Sequence, residues 1–274
     1  MTTRMTLDNR TAVITGAASG IGRALAVTLA GRGCHLALAD VNEAGLDETV
    51  RMVQSNRLRV SRHVLDVTDR AAIAALPEAV KAAHGGADIL INNAGVAIGG
   101  TFEQVSEQDF EWLFEINFWA VVRMTRAFMP LLRASPDARL VNLSSIFGIV
   151  APPGQTAYAA SKFAVRGFSN ALRHELTGSN VGVTVVHPGG VATSIAENAK
   201  RPDGMSDEDV EASKARARRM LTLPPATAAE IIVDAVERRA GRVLVGSDAK
   251  RMSLIERFMP VSYWKLLGAL VSRA

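Results

Sequence analysis

Short apolar runs alternate along the chain with longer stretches in which apolar positions recur every three to four residues. The runs fall at Ala12–Ile14, His35–Ala39, Val60–Leu65, Ile89–Ile91, Leu140–Leu143, Val183–Val186 and Val243–Val245. Apart from Val60–Leu65, which contains Ser61, Arg62 and His63, they are brief and largely apolar, as in strands covered on both faces. Helical periodicity occupies Ile21–Arg32, Glu43–Gln54, Ala71–His84, a long stretch from Glu107 to Leu132, and Ala157–Leu176. This βαβ alternation predicts an α/β fold: a doubly wound, mainly parallel sheet of seven strands with helices on both sides. No linker or repeat interrupts it, so residues 1–249 are read as one catalytic domain and 250–274 as a tail. The least regular segment, 194–223, carries Pro202, Gly204 and many charges. It reads as an insertion on the carboxyl side of the sheet, either a substrate cover or a loose surface loop.

Polar residues cluster where strands end. Thr15-Gly16-Ala17-Ala18-Ser19-Gly20-Ile21-Gly22 follows the first strand and opens a helix. Glycines there permit a tight turn and close approach of the backbone to a pyrophosphate, which the helix N-terminus attracts. The second strand ends at Asp40, where a carboxylate can accept hydrogen bonds from ribose hydroxyls and repel a 2′-phosphate. No cation stands at Ser19 or Val41, so NAD is expected rather than NADP. The competing reading is that Asp40 caps the next helix. The third strand runs into Asp66-Val67 and the fourth into Asn92-Asn93-Ala94-Gly95. These could border a nucleotide or tie strand ends together.

Tyr158 and Lys162 are one helical turn apart and project from one face. An ammonium beside a phenol favours the phenolate and depresses its pKa. Ser145, at the end of the fifth strand, could hydrogen-bond a substrate oxygen and turn it toward that phenol. Asn117 interrupts an apolar helix, and its amide calls for buried partners, either relay water or packing neighbours.

Together these motifs resemble the short-chain dehydrogenases/reductases over Thr11 to about Gly246: Thr15-Gly16-x3-Gly20-x-Gly22, Asn92-Asn93-Ala94-Gly95, Asn117, Ser145, Tyr158-x3-Lys162, and Pro188-Gly189 followed by Val191 and Thr193. The resemblance implies a Rossmann-type domain and a tetrad of Asn117, Ser145, Tyr158 and Lys162. It makes Tyr158 the general acid/base, Lys162 the ribose ligand that lowers the tyrosine pKa, Ser145 the substrate-orienting residue and Asn117 the holder of a relay water. It implies cofactor contacts at Gly16, Ser19, Gly20, Ile21, Gly22, Asp40, Asp66, Val67, Asn93, Ala94, Gly95, Tyr158, Lys162, Pro188, Gly189, Val191 and Thr193. A homodimer or homotetramer is the expected assembly.

Composition narrows the rest. Thirty-one Lys and Arg against 27 Asp and Glu give a net charge of +4. The cluster Lys214, Arg216, Arg218 and Arg219 alternates with Ala and lacks aromatic neighbours, so it reads as a solvated helix face and no nucleic-acid partner is expected. The single Cys34 excludes an internal disulfide. His35, His63, His84, His174 and His187 show no paired-ligand spacing, so no metal is expected. The first ten residues lack the apolar core of a signal peptide, and a soluble, cytoplasmic protein is expected.

Candidate pocket residues flanking the motifs are Ile98, Phe147, Ile149, Val150, Pro152, Gly190 and Val191. Their apolar character points to a hydrophobic secondary alcohol or ketone, of steroid, retinoid-like or long-chain type. A 3-oxoacyl thioester reductase and a nucleotide-sensing scaffold are the alternatives. The tail joins Leu254, Ile255, Phe258, Met259, Val261, Tyr263, Trp264, Leu266, Leu267, Leu270 and Val271 to basic residues including Arg273, and Pro260 divides it into two helical pieces. Contact with a second subunit or closure of the substrate pocket is expected of it, ahead of contact with a membrane surface.

Overall fold

A computed structural model describes residues 4–271, with side chains through Gly268. The strands are β1 (Thr11–Thr15), β2 (His35–Asp40), β3 (Val60–Val64), β4 (Ile89–Asn92), β5 (Ala138–Leu143), β6 (Val181–Pro188) and β7 (Arg242–Val245). They form one parallel sheet in the order β3-β2-β1-β4-β5-β6-β7. The order reverses between β1 and β4, and the crevice at their carboxyl ends is where such sheets bind ligands.

The helices are α1 (Gly20–Gly31), α2 (Glu43–Val53), α3 (Arg70–His84), α4 (Glu107–Phe114), α5 (Ala120–Ala134), α6 (Thr156–Glu175), α7 (Asp207–Met220), α8 (Pro225–Glu237), α9 (Ser247–Phe258) and α10 (Tyr263–Val271). Side chains of successive strand residues point to opposite faces. Ile14 therefore joins Leu25 and Leu29 of α1 and Ile232 of α8 in one core. Val13 joins Ile73 of α3 and Met124 and Phe128 of α5 in the other.

Two readings of the sequence need correction. The expected single helix over Glu107–Leu132 is interrupted by a π-helical turn, Glu115–Trp119, that carries Asn117. The extra residue keeps local hydrogen bonding, so periodicity alone does not expose it. The irregular segment 194–223 is also neither a bare loop nor wholly disordered in its pattern, because it contains α7. That helix buries no side chain, which explains its missing apolar period. Ser206 caps it, acidic Asp207, Glu208 and Asp209 open it, and Arg218 and Arg219 close it, in accord with the helix dipole. The basic cluster is the solvated face expected: Lys214 pairs with Glu211 and Arg218 with Glu197.

Candidate active site

The turn after β1 is tightly drawn. Gly16 and Gly20 have φ of 67° and 52°, and a Cβ on Gly22 would collide with the Gly16 carbonyl oxygen. Asn93 pins the turn: its Nδ2 donates to the carbonyls of Thr15 and Gly16, both at 3.0 Å. The backbone N–H groups of Asn93 and Ala94 donate to Thr15 Oγ1. The Asn93 amide donors are thus spent on protein. Asn92 is likewise tied down, donating to Asn142 Oδ1 at 2.8 Å.

Ser19 begins α1 with no side-chain cap, and the first turn carries no acidic residue. By contrast, Asn42, Asp69 and Ser106 cap α2, α3 and α4. The opening N–H groups of α1 and the positive end of its dipole are therefore left for an anion. Ile21, next in line, packs against the core. Asp40 leans over this turn, its Oδ2 accepting from the Ala18 N–H at 2.9 Å and its Oδ1 from the Asn42 N–H at 2.9 Å. Because Asn42 is the cap of α2, capping does not account for Asp40.

Asp66 is exposed beyond β3, holding Thr68, while Val67 is buried. At the end of β6, Pro188 leads into Gly189 and Gly190. The Gly190 N–H donates to Asp248 Oδ2 at 2.7 Å, and a Cβ on Gly189 would collide with that carboxylate. Asp248 is a supporting residue that the motif spacing did not reveal, since it arrives from α9. Val191 is buried and bridges to Leu223. The Thr193 methyl lies 3.1 Å from where a Cβ on Gly20 would stand, so this segment meets the glycine turn.

On the other side of the crevice, Asn117, Ser145, Tyr158 and Lys162 come together. A Cβ on Gly95 would lie 3.1 Å from Asn117 Oδ1 and 3.3 Å from Lys162 Nζ. Lys162 is buried, its Nζ donating to the Leu143 carbonyl at 3.3 Å and standing 5.7 Å from the centre of the Tyr158 ring. Ser144 fastens β5 to α6 by donating to the Lys162 carbonyl at 2.8 Å. Ser145 Oγ accepts from the Phe147 N–H, and the Phe147 ring meets Tyr158 edge-on at 6.2 Å.

Burial governs the titration here. It pushes the Lys162 ammonium down to about 8 and the Tyr158 phenol up, with a hydrogen bond from Ser145 pulling the phenol the other way. The depressed phenol expected from Lys162 is therefore not the direction found: desolvation outweighs the neighbours. Asn117 also finds protein partners. Its Oδ1 accepts from the Val96 N–H, and its two amide hydrogens go to the Val96 carbonyl and Ser161 Oγ.

The expected pocket lining is only partly available. Ile98, Ile149, Val150 and Val191 are almost wholly buried, leaving Phe147, Pro152 and Gly190 with accessible surface. Ile98 packs with Leu113, Ala157 and Tyr158, whereas Ile149 and Val150 pack under α9 and α10. The described part of the tail packs on its own chain, and the Tyr263 hydroxyl accepts from the Ala151 N–H at 2.9 Å. Leu270, Val271 and Arg273 lie outside the described side chains. The insertion is strapped to the loop after β4: Ile98 and Lys200 form a bridge, and Lys200 pairs with Asp109 of α4. A cavity of about 580 Å³ lies beside α1, with Gly20, Thr193 and Glu197 in its wall.

Elsewhere, His63 and His84 converge on Ser61 Oγ at 2.8 and 2.7 Å, a meeting their separation in sequence hid. No group of three metal-ligand side chains occurs among the described residues. No helix of the described residues is long and apolar enough to cross a membrane.

A family model described as short chain dehydrogenase matches residues 10–204. SadH of Mycobacterium tuberculosis, an oxidoreductase by assignment, is 43% identical over 97% of this chain and 96% of its own length. FabG of Thermotoga maritima, a 3-oxoacyl-[acyl-carrier-protein] reductase, is 35% identical over 70% of this chain and 78% of its own. A solved short-chain dehydrogenase/reductase from Burkholderia phymatum, in complex with NAD, superimposes with a TM-score of 0.85 at 31% identity, covering 92% of this chain and 94% of that one.

Proposed function

The chain belongs to the short-chain dehydrogenases/reductases, and we propose that it transfers a hydride between NAD and a hydrophobic secondary alcohol or ketone. The observation that carries this reading is the meeting of Asn117, Ser145, Tyr158 and Lys162 beside an uncapped helix N-terminus and a glycine turn that has no room for Cβ atoms. Such a turn fits a dinucleotide. Gly16, Ser19, Gly20, Ile21 and Gly22 would hold its pyrophosphate, and Asp40 its ribose hydroxyls. Asp66, Val67, Ala94 and Gly95 would border the adenosine half, with Asn93 shaping the turn from behind. Pro188, Gly189, Val191 and Thr193 would border the nicotinamide. Once bound, that cofactor supplies the hydride donor or acceptor.

The chain's own residues manage the proton. With its pKa pushed up, the Tyr158 phenol is protonated at neutral pH, the state needed to give a proton to a carbonyl oxygen during reduction. Ser145 donates a hydrogen bond to the same oxygen and holds it toward Tyr158 Oη. In the oxidation direction Tyr158 must start as a phenolate, which the Lys162 ammonium stabilises, and it becomes the neutral phenol on accepting the substrate hydroxyl proton. A relay water at Asn117 would have to use groups other than its amide hydrogens, which Val96 and Ser161 occupy. The strapped segment 194–223 would cover the substrate.

A 3-oxoacyl thioester reductase is the second reading, favoured by the identity to FabG. The Asp40 carboxylate and the apolar tail argue for the first. A nucleotide-sensing scaffold that has lost catalysis would not be expected to keep all four tetrad positions. The deciding measurement follows absorbance of the reduced nicotinamide over a panel of steroid, retinoid-like and long-chain alcohols and ketones, beside a 3-oxoacyl thioester. Preferred turnover of an apolar alcohol or ketone with NAD is expected. Faster turnover of the thioester with NADPH would replace this reading by the second. Light scattering is expected to return a homodimer or homotetramer.

A further inference from the structure

The outward face of α9 and the turn into α10 depart from what a solvated helix presents. Lys250, Arg251, Leu254, Arg257 and Phe258 recur at the spacing of one helical face, and all are exposed. Val261, Lys265 and Leu266 continue the surface. The apolar members are far from half-hidden: Phe258 is 75% and Val261 94% accessible. The opposite side is already satisfied, since Ala249, Met252 and Ile255 pack with Ile146, Ile149 and Val150. An amphipathic helix that has already buried one apolar face should turn a polar face to water. This one shows a second face of mixed apolar and cationic residues.

Charge decides what fits there. Between 249 and 268 the one carboxylate is Glu256, which is half-buried, and Asp248 is turned inward to Gly190. Lys250, Arg251, Arg257 and Lys265 take part in none of the ion pairs of the described residues. A second copy related by a two-fold axis would set these cations against the same cations. A bilayer bearing anionic headgroups would pair them while taking up Leu254, Phe258, Val261 and Leu266. We propose that the outer face of α9 and the α9–α10 turn dock on an anionic membrane surface.

The inner faces of the same helices pack on the segment that follows Ser145, so docking would set the catalytic segment close to a reservoir of apolar substrate. That last link rests on the hydrophobic-substrate reading, whereas docking itself does not. The test uses the full chain and sedimentation with vesicles of phosphatidylcholine, alone or mixed with phosphatidylglycerol. The protein is expected to pellet with the mixed vesicles and to be released by salt. Two variants, Lys250→Glu with Arg257→Glu and Phe258→Ser with Val261→Ser, should each weaken partitioning by about ten-fold or more, with circular dichroism unchanged. Recovery of the parent protein in the supernatant with both vesicle types would overturn the proposal. So would pelleting that neither variant reduces. If the parent ignores vesicles while Phe258→Ser with Val261→Ser lowers its oligomeric state in light scattering, the face belongs to a second copy and the proposal fails. Vesicle binding is read without turnover, so its failure and that of the proposed reaction are separable.

Discussion

The two sides of the crevice are built on opposite principles. On the side of β1 and β2, polar groups are largely satisfied by the protein itself: Asn93 spends its amide on Thr15 and Gly16, and Asp40 accepts from Ala18 and Asn42. On the side of β5 and α6, Lys162 has the Leu143 carbonyl and Tyr158 has Ser145 as partners, yet desolvation outweighs them and both are displaced toward their neutral forms. The first side is a shape held in readiness by hydrogen bonds. The second holds groups in an environment that disfavours their charge, a cost that folding bears and catalysis can use.

The most direct way to break this contrast is Tyr158→Phe. It removes the hydroxyl proposed as the acid and leaves the shape, so turnover should fall by roughly 10²–10⁴-fold while NAD binding followed by fluorescence stays the same. Undiminished turnover would sink the assignment of Tyr158. Ser145→Ala should cost on the order of 10²–10³-fold in kcat, again with cofactor binding preserved. A substitution on the other side should give the reverse pattern. Asp40→Ala is expected to weaken NAD by roughly ten- to hundred-fold and relieve exclusion of NADP, and tighter binding of NADP than NAD by the parent protein would contradict the role given to Asp40.

Lys162 sharpens the contrast through pH. Its folded pKa of about 8 lies below the usual lysine value of 10.5. The unfolded chain therefore binds more protons between those two values, and the contribution of Lys162 to stability improves as pH rises through that window. Below it the burial penalty is fully present. Lys162→Met should accordingly raise stability at pH 7 by on the order of 1–3 kcal/mol, seen as a higher thermal midpoint, while lowering turnover, and the gain should shrink above pH 9. A lower midpoint at pH 7 would mean that the bond to Leu143 outweighs desolvation.

The fold is legible through runs such as Ile89–Ile91, whose double burial leaves a continuous apolar mark. The glycine turn and the four residues Asn117, Ser145, Tyr158 and Lys162 stand out by their order and spacing taken together, since each motif alone is common. Contacts between distant segments were less legible. Asp248 supports Gly190 from α9, and no local spacing announces it. Ile98 and Ile149 flank catalytic motifs in the chain, yet Leu113 and the tail helices cover them, because adjacency in sequence does not select which face a side chain takes. The direction of the Tyr158 shift also escaped, since charge spacing can be read from letters but depth of burial cannot. Helix α7 was missed for the complementary reason: with every side chain solvated, it has no apolar stripe to betray it.

The π-helical turn at Glu115–Trp119 works as a frameshift. Upstream, Asp109 and Leu113 face inward, and downstream so do Val121, Met124, Phe128 and Leu132. An unbroken α-helix turns 100° per residue, so one inserted residue re-phases everything that follows. Removing Ile116 would restore regular hydrogen bonding along the helix, and by helical accounting alone would count as a repair. It would also rotate the Asn117 side against its neighbours, either withdrawing the amide from Val96 and Ser161 or turning the Phe128 stripe away from the sheet. The irregularity is what lets one continuous rod serve two masters, the core at one end and the crevice at the other, and natural length variation should therefore avoid this helix and collect in the segment around α7.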